Sequence, residues 1–105
     1  MQQLILCTCP DQNSAEMLAR LLIEANLAAC VNVMPGLTSI YAWQGKIETA
    51  QEHLLLIKTH KDRYAAVETV LKNAHPYQLP EIIAVTIDQG FPEYLQWIDT
   101  CLGIN

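Results

Sequence analysis

The stretch LAACVNVMPGLTSIYAWQGKIETAQEHLLLIKTH, residues 27–60, decides the fold because it predicts two consecutive strands with no helix between them. Residues 27–34 form an almost continuous apolar run, and Pro35-Gly36 is expected to close it in a turn. In the next segment Ile40, Ala42 and Gln44 are expected to face one way and Tyr41 and Trp43 the other, until Gly45 permits a bend. Residues 52–60 predict another strand, with leucines on both of its faces.

Outward from this pair, short β-rich runs predict strands and apolar residues at i, i+3, i+4 spacing predict helices. The flanking elements are strand 3–9, helix 14–26 with Asp11 as N-cap, helix 61–73, strand 81–88 and a short helix from Pro92. The resulting order, β-α-β-β-α-β-α, predicts an α+β fold: a ferredoxin-like βαββαβ sandwich with an extra C-terminal helix. The length predicts a single domain over residues 1–105.

A sheet of four strands with helices on one side leaves its other side open to solvent. The composition is 51% hydrophobic and only 16% charged, so part of the apolar surface is expected to face another subunit. We expect oligomerisation through this open side, occupied by Tyr41, Trp43, Leu55 and Ile57.

The charge balance argues against nucleic-acid binding. The formal net charge is −5, and the densest basic segment, Lys58 to Arg63, is interrupted by His60 and Asp62. No apolar run approaches the ~20 residues of a membrane span. The N-terminal MQQLILCTCPDQ lacks a basic segment of the signal-peptide type, so a cytoplasmic location is expected.

Sequence signatures of catalysis are poor. The tripeptide Gln44-Gly45-Lys46 is not a full phosphate loop, and there is no G-x-S-x-G elbow around a serine nucleophile. We therefore expect a protein without enzymatic activity.

Several segments together resemble the CutA divalent-cation-tolerance family, and the long central block is the most specific of them. The segments are CPD (9–11), LAACVNVMPGLTSIYAWQGKIE (27–48), LLLIKT (54–59), HPYQLPEIIAV (75–85) and YLQWI (94–98). The resemblance implies a homotrimer of ferredoxin-like subunits, joined through an extended β-hairpin and related in architecture to PII signalling proteins. It further implies a role in tolerance of divalent cations, chiefly copper. A thiolate and an imidazole could also start a zinc site, so zinc stays open as the metal.

The resemblance also implies metal ligands at Cys7 and His75. Some family members have two adjacent histidines at the second position, whereas here Ala74 precedes His75. Tetrahedral zinc needs about four ligands, so Cys9 on the same strand face or groups from a neighbouring subunit would have to complete the site. The alternative interpretation is a buried thiol and a histidine in a structural corner, where Pro76 ends a helix.

Two further functions remain open from the sequence. One is a PII-like sensor that binds a small anionic metabolite in a cleft between subunits, with Lys58 as the cation that pairs with it. The other is an assembly scaffold with no small ligand. The residues expected to line the cleft are Trp43, Lys58, Tyr77 and Glu81, with Tyr41 and His75 nearby.

Overall fold

The computed structural model describes residues 1–104, which form four strands and three α-helices in the predicted order. The strands are β1 (Gln2–Cys9), β2 (Cys30–Trp43), β3 (Lys46–His60) and β4 (Ile82–Thr86). The α-helices are α1 (Gln12–Glu24), α2 (Tyr64–Ala74) and α3 (Pro92–Cys101), and a 3-10 turn (Lys61–Arg63) precedes α2. The predicted mixed fold and its element order are confirmed.

The four strands form one sheet in the order β2-β3-β1-β4, and every neighbouring pair is antiparallel. In the centre of the sheet, Leu6 of β1 lies opposite Leu56 of β3 on one side and Ile83 of β4 on the other. No helix within residues 1–104 is long and apolar enough to span a membrane.

The prediction that Pro35-Gly36 closes a strand is wrong. Strand β2 continues through these residues, and the register shifts between Met34 and Leu37, so β2 contains a bulge with one extra residue. Proline is tolerated there because the ladder of hydrogen bonds is already interrupted. Strand β3 likewise begins at Lys46, earlier than the predicted residue 52, directly after the two-residue turn.

That turn reverses the chain at Gln44 and Gly45, whose φ angles are 51° and 80°. Two successive positive φ values are typical of a type I′ turn, which matches the twist of paired strands. The sequence-based expectation of a bend at Gly45 is confirmed. The result is a long β2–β3 hairpin.

Helices α1 and α2 cover one side of the sheet, which we call the covered face. The core there comprises Ile5, Leu55 and Ile57 from the strands and, from the helices, Leu18, Leu22, Val67 and Leu71, all fully buried. Helix α1 begins as predicted, since Asp11 accepts a hydrogen bond from the Ser14 N–H at 2.8 Å. Burial of such side chains supplies most of the stability of a small domain.

The prediction that Leu55 and Ile57 lie on the open side of the sheet is wrong, because both belong to the core under the helices. The bulge in β2 explains the error. One extra residue reverses the alternation of β2, so Tyr41 and Trp43 share a side with even-numbered residues of β3. This second face carries Leu4, Leu6, Leu54, Leu56, Ile83 and Val85.

The far end of the hairpin stands apart from the rest of the sheet. Strand β1 pairs with β3 only from His53 to His60, so residues 37–52 form a two-stranded arm. Ile40 is 70% exposed and Ile47 is 81% exposed on this arm. At the opposite end of the sheet α3 lies beside β1, where Gln2 Nε2 donates to Asp99 Oδ2 at 3.0 Å.

Candidate functional site

Two cysteines near the end of β1 point into the covered face. Because side chains alternate along a strand, Cys7 and Cys9 lie on the same side, and both are fully buried. The side chain of Thr8, between them, points to the second face. The end of β1 therefore presents two thiols to the space below α2.

His75 reaches this space from the C-terminal end of α2. Its backbone is extended, with φ −71° and ψ 139°, as expected for a residue that precedes proline. Its N–H still donates to the Leu71 carbonyl at 2.9 Å, so the residue is tied to the last helical turn. The residue as a whole is 9% exposed, and its imidazole lies against β1.

The three side chains converge. The two Sγ atoms and a ring nitrogen of His75 all lie within 4.8 Å of one another, and Cys9 Sγ is 3.9 Å from His75 Nε2. Within residues 1–104, no other group of three His, Cys, Asp or Glu side chains converges in this way. The structure thus brings together the predicted Cys7 and His75 and adds Cys9, which the i, i+2 spacing had placed on the same face.

Hydrogen bonds determine the tautomer of His75. The Tyr77 N–H points to Nδ1 at 3.0 Å, so this nitrogen accepts and carries no proton. The proton is then on Nε2, which donates to the Thr8 carbonyl at 2.8 Å. A metal can bind His75 through Nε2 only after the bond to Thr8 is broken and the proton is lost.

The two neighbouring buried thiols differ in acidity. The nearby Cys9 thiol, together with burial, raises the pKa of the Cys7 thiol. Interaction with Cys7 lowers the pKa of the Cys9 thiol, although burial acts in the opposite direction. Cys9 is therefore the member of the pair that ionises first, and its Sγ lies 3.9 Å from the proton-bearing Nε2 of His75, which favours the thiolate.

A cavity of about 920 Å³ opens on the other side of β1, between the arm and the loop after α2. It is lined by Thr8, Tyr41, Trp43, Glu52, Pro76, Tyr77, Gln78, Leu79 and Glu81. Thr8 and Tyr77 also bond to His75, so the cavity and the thiol cluster share a wall.

Glu52 and Tyr77 form the polar base of this cavity. Glu52 is only 8% exposed, and its Oε2 accepts a hydrogen bond from the Tyr77 hydroxyl at 2.7 Å. Burial raises the pKa of Tyr77, and the bond to Glu52 raises it further because ionisation would place two negative charges together. The Tyr77 hydroxyl therefore stays protonated and holds Glu52 in place.

Three of the four residues predicted to line a cleft meet in this cavity, and Lys58 does not. Trp43, Tyr77 and Glu81 are part of its wall. Lys58 lies six residues beyond Glu52 on the same strand, roughly 20 Å away at the usual rise per residue. Its ammonium donates to Asn32 Oδ1 instead and lies 3.9 Å from Cys30 Sγ. Glu52 was not predicted as a residue of the cavity. It stands at the start of a predicted strand and interrupts no apolar pattern, so nothing in the local sequence marked it.

Comparison with known proteins places the chain among proteins of one family. Residues 3–101 match the family described as "CutA1 divalent ion tolerance protein". The "Divalent-cation tolerance protein CutA" of Thermus thermophilus is 46% identical over 98 residues, which are 93% of this chain and 95% of that protein. The mouse "Protein CutA" is 45% identical over 91 residues, or 87% of this chain, but the match spans only 51% of the mouse protein.

A solved structure gives the same result in three dimensions. The crystal structure of CutA from Xylella fastidiosa superposes with a TM-score of 0.93 at 53% sequence identity, covering 96% of this chain and 97% of that one. The agreement extends over the sheet, the long hairpin and the three helices, since it includes nearly all of both chains. The chain belongs to the CutA1 divalent ion tolerance protein family.

Proposed function

We propose that this chain serves divalent-cation tolerance by binding copper, or another thiophilic metal such as zinc, through Cys7, Cys9 and His75. The observation that carries the proposal is the convergence of two buried thiols and an imidazole within 4.8 Å. Thiolate and imidazole are the ligands that soft and borderline metals prefer, and a buried site excludes competing water.

The three donors suit Cu(I), whereas a tetrahedral zinc would need a fourth ligand, and either metal requires two adjustments of the cluster. Two thiolates that share one tetrahedral zinc lie about 3.8 Å apart at ordinary bond lengths, so the cluster needs only a small contraction. His75 must also release the Thr8 carbonyl. Because thiol and imidazole protons leave on binding, metal affinity should rise with pH. The bound metal would be held by the thiolates and the imidazole of this chain. We propose no catalytic role for it.

A copper titration tests the proposal. The background protein is the double variant Cys30→Ser, Cys101→Ser, which removes the two thiols outside the cluster. Competition with a chromophoric Cu(I) chelator under anaerobic conditions should show one copper per chain in this background. Cys9→Ser, Cys7→Ser or His75→Ala added to it should weaken binding by about 10-fold or more. Unchanged affinity and stoichiometry in all three would remove the cluster as the metal site.

We further propose that the molecule is a homotrimer of ferredoxin-like subunits with PII-like architecture, as the family resemblance implies. Two features support an assembly. The second face carries a continuous set of apolar side chains, with Ile83 and Val85 about half exposed. The arm is a two-stranded ribbon, and such ribbons are marginally stable in water without a partner.

A cytoplasmic, non-catalytic role completes the proposal. All four cysteines are free thiols, which is typical of a reducing compartment. Cys7 and Cys9 have no exposed surface, so they suit metal ligation better than attack on a substrate. The net charge of −5 supports a role without nucleic-acid partners. Cell fractionation with antibody detection tests the location, and recovery in a membrane or periplasmic fraction would contradict it.

A further inference from the structure

A third histidine lies beside the thiol cluster on the neighbouring strand. His53 of β3 pairs directly with Cys9 of β1. Residues that are directly opposite each other in an antiparallel pair point to the same side of the sheet, with Cβ atoms about 4.5–5.5 Å apart. His53 therefore points to the covered face, as Cys7 and Cys9 do, at the position where β3 enters the arm.

The ring of His53 contains a buried nitrogen without a partner. Within residues 1–104, no hydrogen-bond donor or acceptor reaches Nδ1 of His53. Such atoms are rare in folded proteins, because the hydration lost on burial is not replaced. The atom is buried by its own chain, so a neighbouring subunit of the proposed trimer does not reach it either. Neither folding nor assembly satisfies this nitrogen.

His53 differs in this respect from His75. To bind a metal, Nε2 of His75 must give up its bond to the Thr8 carbonyl, whereas Nδ1 of His53 has no bond to give up. His53 lies outside the group of donors within 4.8 Å, so its imidazole has to rotate toward Cys9. A nitrogen and a sulfur that share one tetrahedral zinc lie about 3.5 Å apart at ordinary bond lengths, which directly opposite strand residues can reach.

The charge of a buried site also favours a fourth, neutral ligand with a divalent ion. Two thiolates, two neutral imidazoles and a divalent cation carry no net charge together. Cu(I) with the same two thiolates leaves an uncompensated negative charge, and an uncompensated charge is costly away from water. A second imidazole thus completes the coordination of a divalent ion without adding charge.

We propose that His53 is the fourth metal ligand, binding through Nδ1 and completing a set of two cysteines and two histidines with Cys7, Cys9 and His75. The inference rests on the metal site proposed above and adds the class of metal that it takes. Four such ligands suit a tetrahedral divalent ion, chiefly zinc, whereas three already suit Cu(I). His53 therefore determines whether the site also retains zinc.

Metal competition separates the fourth ligand from the other three. In the Cys30→Ser, Cys101→Ser background, zinc and Cu(I) affinities are measured against chromophoric chelators under anaerobic conditions. His53→Gln and His53→Ala should weaken zinc binding about 10-fold or more, since even the hydrogen-bond partners of ligands contribute that much, and should leave Cu(I) binding nearly unchanged. His60→Gln, at the other end of the same strand, is the matched control and should alter neither affinity. Unchanged zinc affinity in both His53 variants, or equal losses of zinc and Cu(I), would refute the assignment.

Spectra report the coordination directly. Co(II), a spectroscopic substitute for zinc, should give the intense visible d–d bands of a four-coordinate site in the background protein and weaker bands in both His53 variants. In imidazole nitrogen NMR, zinc should shift Nδ1 of His53 and leave both nitrogens of His60 in place. An unshifted His53 in the zinc-saturated background protein would overturn the proposal, whether or not the variants fold.

The metal site and its fourth ligand can fail separately. If the background protein binds neither zinc nor Cu(I), the proposed function is wrong, and the inference is wrong with it. If Cu(I) binds through Cys7, Cys9 and His75 while zinc fails to bind or binds independently of His53, the proposed function stands and only the fourth ligand is refuted.

Discussion

The two faces of the sheet are both apolar, yet their surroundings differ. On the covered face Ile5, Leu55 and Ile57 are fully buried beneath two helices. On the second face Leu6 and Leu56 are only partly buried, and Ile83 is about half exposed. A strand with leucines on both sides needs a layer on each. The difference is that helices α1 and α2 cover the first face, whereas much of the second face stays accessible to the partner subunits proposed above.

The largest effect is expected when a charge is placed on the second face. Leu56→Asp should abolish the proposed trimer, because each interface would bury a carboxylate without a partner, at several kcal/mol per site. Light scattering after size exclusion should show the mass of one chain in place of three. Met17→Asp, on the exposed side of α1, is the matched control and should leave the mass unchanged. A trimeric Leu56→Asp would exclude this face as the interface.

Shortening a side chain on the covered face should act on folding itself. Leu55→Ala removes a fully buried leucine and should lower the free energy of unfolding by about 2–5 kcal/mol. The measurement is urea denaturation at several protein concentrations. The loss of stability in Leu55→Ala should not depend on protein concentration, whereas the loss in Leu56→Ala should. The same concentration dependence in both variants would contradict the distinction between the faces.

A smaller effect is expected at the edge of the second face. Tyr77→Phe removes the hydrogen bond to buried Glu52 and should cost about 1–2 kcal/mol, because the carboxylate is left with fewer donors. Tyr64→Phe is a close control, since Tyr64 makes a bond of the same 2.7 Å length to Glu68 at an exposed position. Chemical denaturation should show little change there. Equal losses in both would mean that burial of Glu52 is unimportant.

The smallest effect concerns the cap of α1, which supports the covered face. The Ser14 N–H lowers the pKa of Asp11 from its ordinary 3.8, so the carboxylate stabilises the fold above that pH. This contribution is lost as the pH falls through the lowered folded pKa. Asp11→Ala should reduce the melting temperature slightly at pH 7, and Asp11→Asn, which can still cap, should not. A melting temperature of Asp11→Ala equal to that of the unaltered protein would show that the cap does not contribute to stability.

The sequence predicted the helices and strands better than it predicted how the strands pair and which face the helices cover. Local spacing located both long helices within a few residues, and Pro92 marked the start of α3. The length of the hairpin was underestimated, since Pro35-Gly36 is an interruption that the strand passes through. Whether such a pair ends a strand or bulges depends on the facing strand, which local sequence does not show.

The candidate sites, too, were predicted only in part. Alternation along β1 placed Cys7 and Cys9 on one face, but the contact of Cys9 with His75 joins residues 66 positions apart. Trp43, Tyr77 and Glu81 meet in the cavity between the arm and the loop after α2, and Glu52 joins them. Lys58 lies roughly 20 Å along β3 from that end of the strand, so it does not line this cavity, and its place in a cleft between subunits stays a prediction.

By itself the sequence determined the element order, the cap at Asp11, the turn at Gly45 and the shared face of the two cysteines. These depend on residue preferences and on periods of 2 and 3.6, which act over a few positions. The tertiary structure decided which face of β3 the helices cover, which residues join His75, and the acidic character of the cavity. Period 2 separates two faces but does not assign either to the core, and a single bulge exchanges them.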